Sequence, residues 1–164
     1  MPQFKARVKK MEIVLFQPEI PPNTGNIARL CAGLGLRLNL IEPLGFQLDD
    51  RQLRRAGLDY WPLVDLKIWP DWPAFLSSWQ GGRLWGTSAR AGVLYSAVKF
   101  SADDGLIFGP ETRGLPPGIC PDALLKVPLR PGIRSLNLAA CVGLITGEAL
   151  RQTGHWADQD AASR

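Results

Sequence analysis

Three short polar segments carry the residue types that could do chemistry in this chain. They are Asn23-Thr24-Gly25-Asn26-Ile27-Ala28-Arg29, Phe108-Gly109-Pro110-Glu111-Thr112-Arg113-Gly114-Leu115-Pro116, and Arg134-Ser135-Leu136-Asn137-Leu138. Each falls where a run of strand character gives way to a loop or helix. Open α/β sheets build ligand sites there, because backbone N–H groups and short polar side chains gather beyond the strand ends. Three such segments in 164 residues point to one composite site.

In the first segment, prolines 18, 21 and 22 stiffen the approach, and Asn23 or Thr24 can cap the helix that follows. A well-capped helix after a rigid turn accounts for most of it. Arg29 asks for more. It stands within the first turn or so, on a face that Ile27 and Leu30 leave open. A cation there works against the helix dipole, so an anionic partner such as a phosphate is expected. In the second segment Gly109 would let a ligand approach the backbone, and Gly114 relieves φ in a tight loop. Glu111 has two readings: a carboxylate with a task in the site, or a local ion pair with Arg113. In the third, Ser135 reads as the N-cap of the last helix. Asn137, flanked by leucines and costly inside a helix, suggests a polar task.

The elements that must position these segments alternate between strand and helix. Strands are expected over Glu12–Phe16, Arg37–Ile41, 64–68, 83–87, 106–108 and 124–128. Helices are expected over 26–34 with Gly35 as its stop, over a short basic stretch to Arg55 capped by Asp49 or Asp50, from Asp71 to Trp79, and from Leu136 to Gln152. Such alternation implies an α/β fold, a mostly parallel sheet with helices on both faces. One domain over 11–154 is expected, with a basic arm or start-site extension at 1–10, Met11 being an alternative start, and a tail at 155–164. Ala139, Ala140 and Gly143 keep the last helix thin, and Gly143 and Gly147, costly in a helix interior, signal tight packing against another element.

Composition narrows the function classes. The hydrophobic fraction of 46% and charged fraction of 21% are those of a soluble globule, and no apolar run is long enough to span a membrane. Three cysteines without CxxC spacing and a single histidine, His155, argue against a structural metal and read as reduced thiols, hence a cytoplasmic setting. A net charge of +4 permits an acidic partner without requiring one. Lys5, Arg7, Lys9 and Lys10 form one basic cluster, and Arg51, Arg54 and Arg55 a second. The six tryptophans could stack on bases but are more often core or dimer contacts, and His155 reads as a surface residue.

Taken together, the first segment from Pro18, the stretch Leu53-Arg54-Arg55-Ala56-Gly57-Leu58-Asp59-Tyr60 and the other two segments resemble the SPOUT superfamily of RNA methyltransferases, on its SpoU side. Within it the chain is most similar to the minimal, single-domain tRNA (cytidine/uridine-34-2′-O)-methyltransferases, from Met11 to about Gln152. The resemblance implies a C-terminal deep trefoil knot, a homodimer, S-adenosylmethionine as methyl donor, tRNA as substrate and no metal. Carried over, it puts the donor near Thr87, Gly109, Val127 and Ser135, with Leu129 and Leu138 lining the pocket. It gives Arg29 a catalytic role, supported by Asn23, Glu111, Ser135 and Asn137. A guanidinium keeps its proton in water, so Arg29 would anchor a phosphate and steady a developing alkoxide, with a phosphate oxygen or Glu111 taking the proton. The chain departs from the pattern at Gly147-Glu148, where many relatives have Tyr-Glu, at the stiff, basic Arg130-Pro131-Gly132, and in its first ten residues. Two alternatives stand beside wobble-ribose methylation. One is a 2′-O-methyltransferase for another tRNA position or for rRNA. The other is a non-catalytic RNA-binding protein, against which the full set of five polar residues argues.

Overall fold

A computed structural model of the chain describes residues 10–57, 59–119 and 123–156. In chain order the elements are β1 (Glu12–Phe16), α1 (Pro21–Leu34), β2 (Arg37–Ile41), α2 (Arg51–Gly57), β3 (Asp65–Trp69), α3 (Trp72–Ser78), β4 (Leu84–Thr87), β5 (Val93–Leu94), β6 (Gly105–Phe108), β7 (Ala123–Lys126) and α4 (Leu138–Thr153). The strands form one sheet in the order β3-β2-β1-β6-β4-β7-β5. Every neighbouring pair is parallel. This is the α/β fold expected from the alternation.

The central strand shows why. Residues of β1 alternate between two cores, as a pleated strand requires. Ile13 and Leu15 join Ile27, Ala28 and Cys31 of α1 and Val142, Ile145 and Ala149 of α4. Val14 and Phe16 face the other way, with Ile41, Leu84, Ile107 and Phe75 of α3. Trp69, Trp72 and Trp79 surround Phe75 there, so these three tryptophans serve the core and not a base-stacking surface. Burial pushes the Cys31 thiol up to about 12, which makes it an inert packing residue. Cys120 lies outside the described residues.

Several boundaries differ from expectation. Helix α1 begins at Pro21, five residues before the expected 26, because proline suits the first turn and the polar residues 23–26 are accommodated inside it. Its end is as expected, with Gly35 at φ 65° and its N–H bonded to the carbonyls of Ala32 and Cys31. Asp50, not Asp49, caps α2, accepting from the N–H groups of Gln52 and Leu53. β3 starts one residue late because Val64 closes a 3₁₀ turn over Trp61–Leu63. The two-residue β5 was not foreseen: both its side chains are exposed, so no apolar pattern marks it. The expected arm at 1–10 falls outside the described residues except for Lys10. At the other end His155 is half-buried, its Nε2 2.8 Å from the Leu34 carbonyl oxygen. A carbonyl freed at the end of α1 thus gains a partner, and the surface role expected of His155 gives way to a cap.

Two features of this topology position a site. The chain builds outward from β1 through β2 and β3, then returns to the other side beyond β6. The loops after β1 and β6 therefore diverge at a switch point, where open parallel sheets form crevices. Further along, Thr87 and Val93 both pair in register with Leu125. Residues 88–92 consequently cross β7 at a single level, and the Ser88 N–H bonds to the Leu125 carbonyl at 2.9 Å.

Candidate active site at the carboxyl ends of the strands

The loop after β6 folds back on itself at Gly109. A Cβ there would collide with the backbone of Gly114 and Leu115. Gly109 thus serves a close approach by its own loop. Gly114, at φ 66°, makes the return possible.

This fold-back delivers Glu111 to the start of α1. Its Oε2 accepts the Glu19 N–H at 2.8 Å, and its Oε1 accepts the Ile20 N–H at 3.1 Å and the Asn23 side-chain amide at 3.3 Å. A carboxylate beside the free N–H groups of a helix N-terminus is well placed electrostatically. No side chain within α1 caps it, so neither Asn23 nor Thr24 plays the capping role expected of them. The companion contacts run the other way: Glu19 accepts from the Thr112 N–H at 3.0 Å and from its hydroxyl. Arg113 approaches Glu19 and Gln17, not Glu111, so the local Glu111–Arg113 ion pair does not form.

The third segment closes the cluster. The Asn137 side-chain amide donates to Asn23 Oδ1 at 2.9 Å, while its own Oδ1 accepts the Ala139 and Ala140 N–H groups. Asn137 is therefore the N-cap of α4, and Ser135, exposed two residues earlier, is not. Asparagine caps at least as well as serine, and placing it there lets one side chain both start α4 and reach α1. Glu111, Asn23 and Asn137, separated by up to 114 positions, form one hydrogen-bonded chain.

Arg29 stands apart from that chain. Since α1 starts at Pro21, it lies in the third turn, and the dipole argument for an anion does not apply. Its guanidinium sits over the Tyr60 ring, 4.9 Å from the centroid, and is exposed. Tyr60 as its partner is a functional candidate that the sequence left unmarked beyond its place in a motif.

A cleft of about 410 Å³ opens along the 126–134 loop. Val127 and Leu129 line it, with Leu94, Ile133 and Arg134. Thr87 ends β4 at the same edge of the sheet, its hydroxyl donating to the Ile107 carbonyl at 3.2 Å. Leu138 is half-buried against the core at the first turn of α4. A volume of this size, walled by Val127, Leu129 and Ile133 together with Lys126, Arg130 and Arg134, lies within the range of small-molecule sites. A second cleft of about 460 Å³ lies at the opposite ends of the strands, lined by Glu12, Arg37, Asp65 and Trp79 among others. There Arg37 already contacts Glu12 and Asp65, so its charges are largely balanced and the polar chain is far away. The smaller cleft is the one that reaches the third segment, at Arg134. Among the described residues no three His, Cys, Asp or Glu side chains gather to hold a metal ion, and no helix is long and apolar enough to cross a membrane.

Comparison with known proteins places the chain among RNA methyltransferases. The chain is 48% identical over 149 residues to a tRNA (cytidine(34)-2′-O)-methyltransferase of Aeromonas hydrophila, a match covering 88% of this chain and 96% of the relative. A structure described as giving insight into 2′-hydroxyl methylation of C/U34 on tRNA superposes with a TM-score of 0.84 at 47% identity, covering 88% of this chain and 96% of that one. A SpoU methyltransferase from Streptomyces viridochromogenes in complex with AdoMet shares the fold, with a TM-score of 0.79 at 22% identity over 88% of this chain and 58% of that one. The family model for SpoU rRNA methylases matches residues 10–147, and the chain belongs to that family of methyltransferases.

Proposed function

We propose that the protein transfers a methyl group from S-adenosylmethionine to the 2′-hydroxyl of the wobble ribose, position 34, cytidine or uridine, in tRNA anticodons. The observation that carries this reading is the Glu111–Asn23–Asn137 chain. It draws three distant loops to one point, in a chain nearly half identical to enzymes named for that reaction. A folded RNA-binding protein without catalysis would need no such chain.

S-adenosylmethionine supplies a methyl already activated on a sulfonium, so neither a metal nor a covalent intermediate is required. The 126–134 cleft is the candidate donor site: Val127 and Leu129 offer apolar walls, and the backbone of 126–134 offers hydrogen-bonding groups. Thr87, Gly109, Ser135 and Leu138 join the donor site through the family resemblance. Asn23 and Asn137 hold the loops in register, and Glu111 acts as a clamp. Three donors already occupy its oxygens, which makes a phosphate oxygen of the RNA, or water, the better proton acceptor. Arg29 binds the adjoining phosphate and steadies the oxygen as it gains charge. Alignment of this sort can lower a barrier by about 7–11 kcal/mol at most.

The crossing of β7 by residues 88–92 supports a threaded, knotted C-terminal region. The outward face of α4 supports a homodimer. Ala140 and Leu144 are exposed on it, and a Cβ on Gly143 or Gly147 would meet nothing within 4 Å, so the close packing expected of these glycines is not made within the chain. Small residues at such spacing suit a second helix. Replacing Leu144 by glutamate is expected to shift the protein to monomer in size-exclusion chromatography with light scattering, with its circular dichroism retained. A dimer surviving that change would move the interface elsewhere.

The function itself is tested by incubating purified protein with labelled donor and total tRNA, then mapping the labelled nucleoside. Label at the 2′-oxygen of nucleotide 34 is expected. Label elsewhere in tRNA, or in rRNA only, would replace the substrate assignment, and no transfer at all would leave an RNA-binding role.

A further inference from the structure

Helices α1 and α2 pack so tightly that a Cβ on Gly25 would lie 2.5 Å from the Leu53 carbonyl oxygen and 2.6 Å from Ala56 Cβ. One turn beyond Gly25 comes Arg29, and α2 carries Arg51, Arg54 and Arg55. All four arginines are exposed, and among the described residues none has a carboxylate within 4.0 Å. The chain that follows α2 then presents two aromatic rings in succession. Arg29 lies over Tyr60 at 4.9 Å, and Arg54 lies over Trp61 at 5.5 Å, measured to the ring centroids. Two arginines from neighbouring helices are thus each seated on a ring from one turn.

A ring beneath a guanidinium restrains the plane of the cation and leaves its N–H edges to face outward. That is the geometry in which arginine grips phosphate oxygens through paired donors. Arg29 lies six residues after Asn23 on α1, about 9 Å along the helix axis at 1.5 Å per residue. The strip therefore begins about 9 Å along α1 from the polar chain and leads away from it over α2. An acidic protein surface would be satisfied by unrestrained charge, whereas oriented guanidiniums beside aromatic faces match a nucleic-acid strand.

We infer that the Arg29–Tyr60 and Arg54–Trp61 pairs form an RNA-binding strip that holds the phosphates flanking the modified nucleotide. Arg54 contacts phosphate directly, and Tyr60 and Trp61 are positioning residues that act through the two guanidiniums. The inference rests on the reading that this chain modifies tRNA.

The test uses the full-length protein and measures tRNA binding by anisotropy between 50 and 200 mM salt, together with steady-state kinetics and calorimetric titration of S-adenosylmethionine. Arg54→Ala should raise both Kd and KM for tRNA roughly tenfold and lower the slope of log K against log salt by about 0.7 to 0.9. Its kcat at saturating tRNA and its donor affinity should change less than about twofold, since the loss is in ground-state binding. Arg54→Lys should recover the salt slope but only part of the affinity. Tyr60→Phe should match the parent protein, because the ring is retained, while Tyr60→Leu should lower kcat and weaken tRNA binding by no more than about threefold, since the charge of Arg29 is kept. Unchanged Kd and slope in Arg54→Ala, Tyr60→Phe no better than Tyr60→Leu, or equal affinity of the parent for poly-glutamate would each overturn the strip. If Arg54→Ala loses tRNA affinity but the methyl maps to a nucleotide other than 34, the strip stands and the wobble assignment falls.

Discussion

Replacing Arg29 by lysine is expected to lower kcat for methyl transfer roughly a hundredfold, with tRNA affinity within about threefold of the parent. The charge is kept, so the sequence-independent part of RNA binding survives. What disappears is the planar fork and its seat on Tyr60, 4.9 Å from the ring centroid. An ammonium on a flexible stem can meet a phosphate, but it does not present two parallel donors in one fixed plane. Arg29→Ala should lose about 10²- to 10³-fold in kcat, the range for removing one donor at a developing anion. It should lose tRNA affinity as well, since that change also removes the charge. Single-turnover rates with saturating tRNA and donor separate the two. A lysine variant that keeps near-full rate would show that positive charge suffices and that the oriented guanidinium is not what the reaction uses. Because Arg29 is exposed, neither substitution should cost much stability, and a matched thermal melt checks that.

The fold was legible where burial enforces a period. β1 and β2 match their expected bounds because both faces of each strand are covered, so most positions are apolar, and the buried exception, Asn39, is hydrogen-bonded to Glu12 and the Ile13 carbonyl. The edge strand β5 was illegible for the opposite reason. The start of α1 is hidden in the sequence because polar residues 23–26 resemble a cap and loop, yet they are inside the helix. Asn23, Thr24 and Gly25 are buried there, the first by its bonds to Glu111 and Asn137, the last by α2. The same local logic favoured Ser135 as a cap over Asn137. Both misreadings have one source: short-range signals describe a residue's own helix, while these residues answer to segments about a hundred positions away. The members of the cluster could be nominated from their types, but the pairing of Glu111 with the backbone at Glu19 and Ile20 has no local signature. The partnership of Arg29 with Tyr60 likewise depends on how α2 docks on α1. Resemblance to the SpoU family marked both residues without saying why they are needed.

Glu111→Gln is expected to be more damaging than its shape suggests, lowering kcat/KM about a hundredfold. The parent carboxylate accepts from the Glu19 and Ile20 N–H groups and from the Asn23 amide. Glutamine offers one acceptor oxygen, and its amide nitrogen must face a donor, leaving at least one N–H without a partner. A desolvated donor left so costs about 1–3 kcal/mol, and the half-exposed setting here places the stability loss toward the lower end. The larger effect is geometric. Once Glu111 releases Asn23, the Asn23–Asn137 bond loses its fixed end, and the cap of α4 is free to shift against α1. A displacement near 1 Å at a reacting centre can cost about a hundredfold in rate. Asn137→Ala removes the other end of the same chain, and its cap, so it should lose comparable activity together with about 1 kcal/mol of stability. The decisive measurement is the double variant. If the three side chains work as one clamp, Glu111→Gln combined with Asn137→Ala should be little slower than the worse single variant. Multiplying defects would mean that Glu111 and Asn137 act on the reaction independently. Asn23 would then be a neighbour of both and not the link between them.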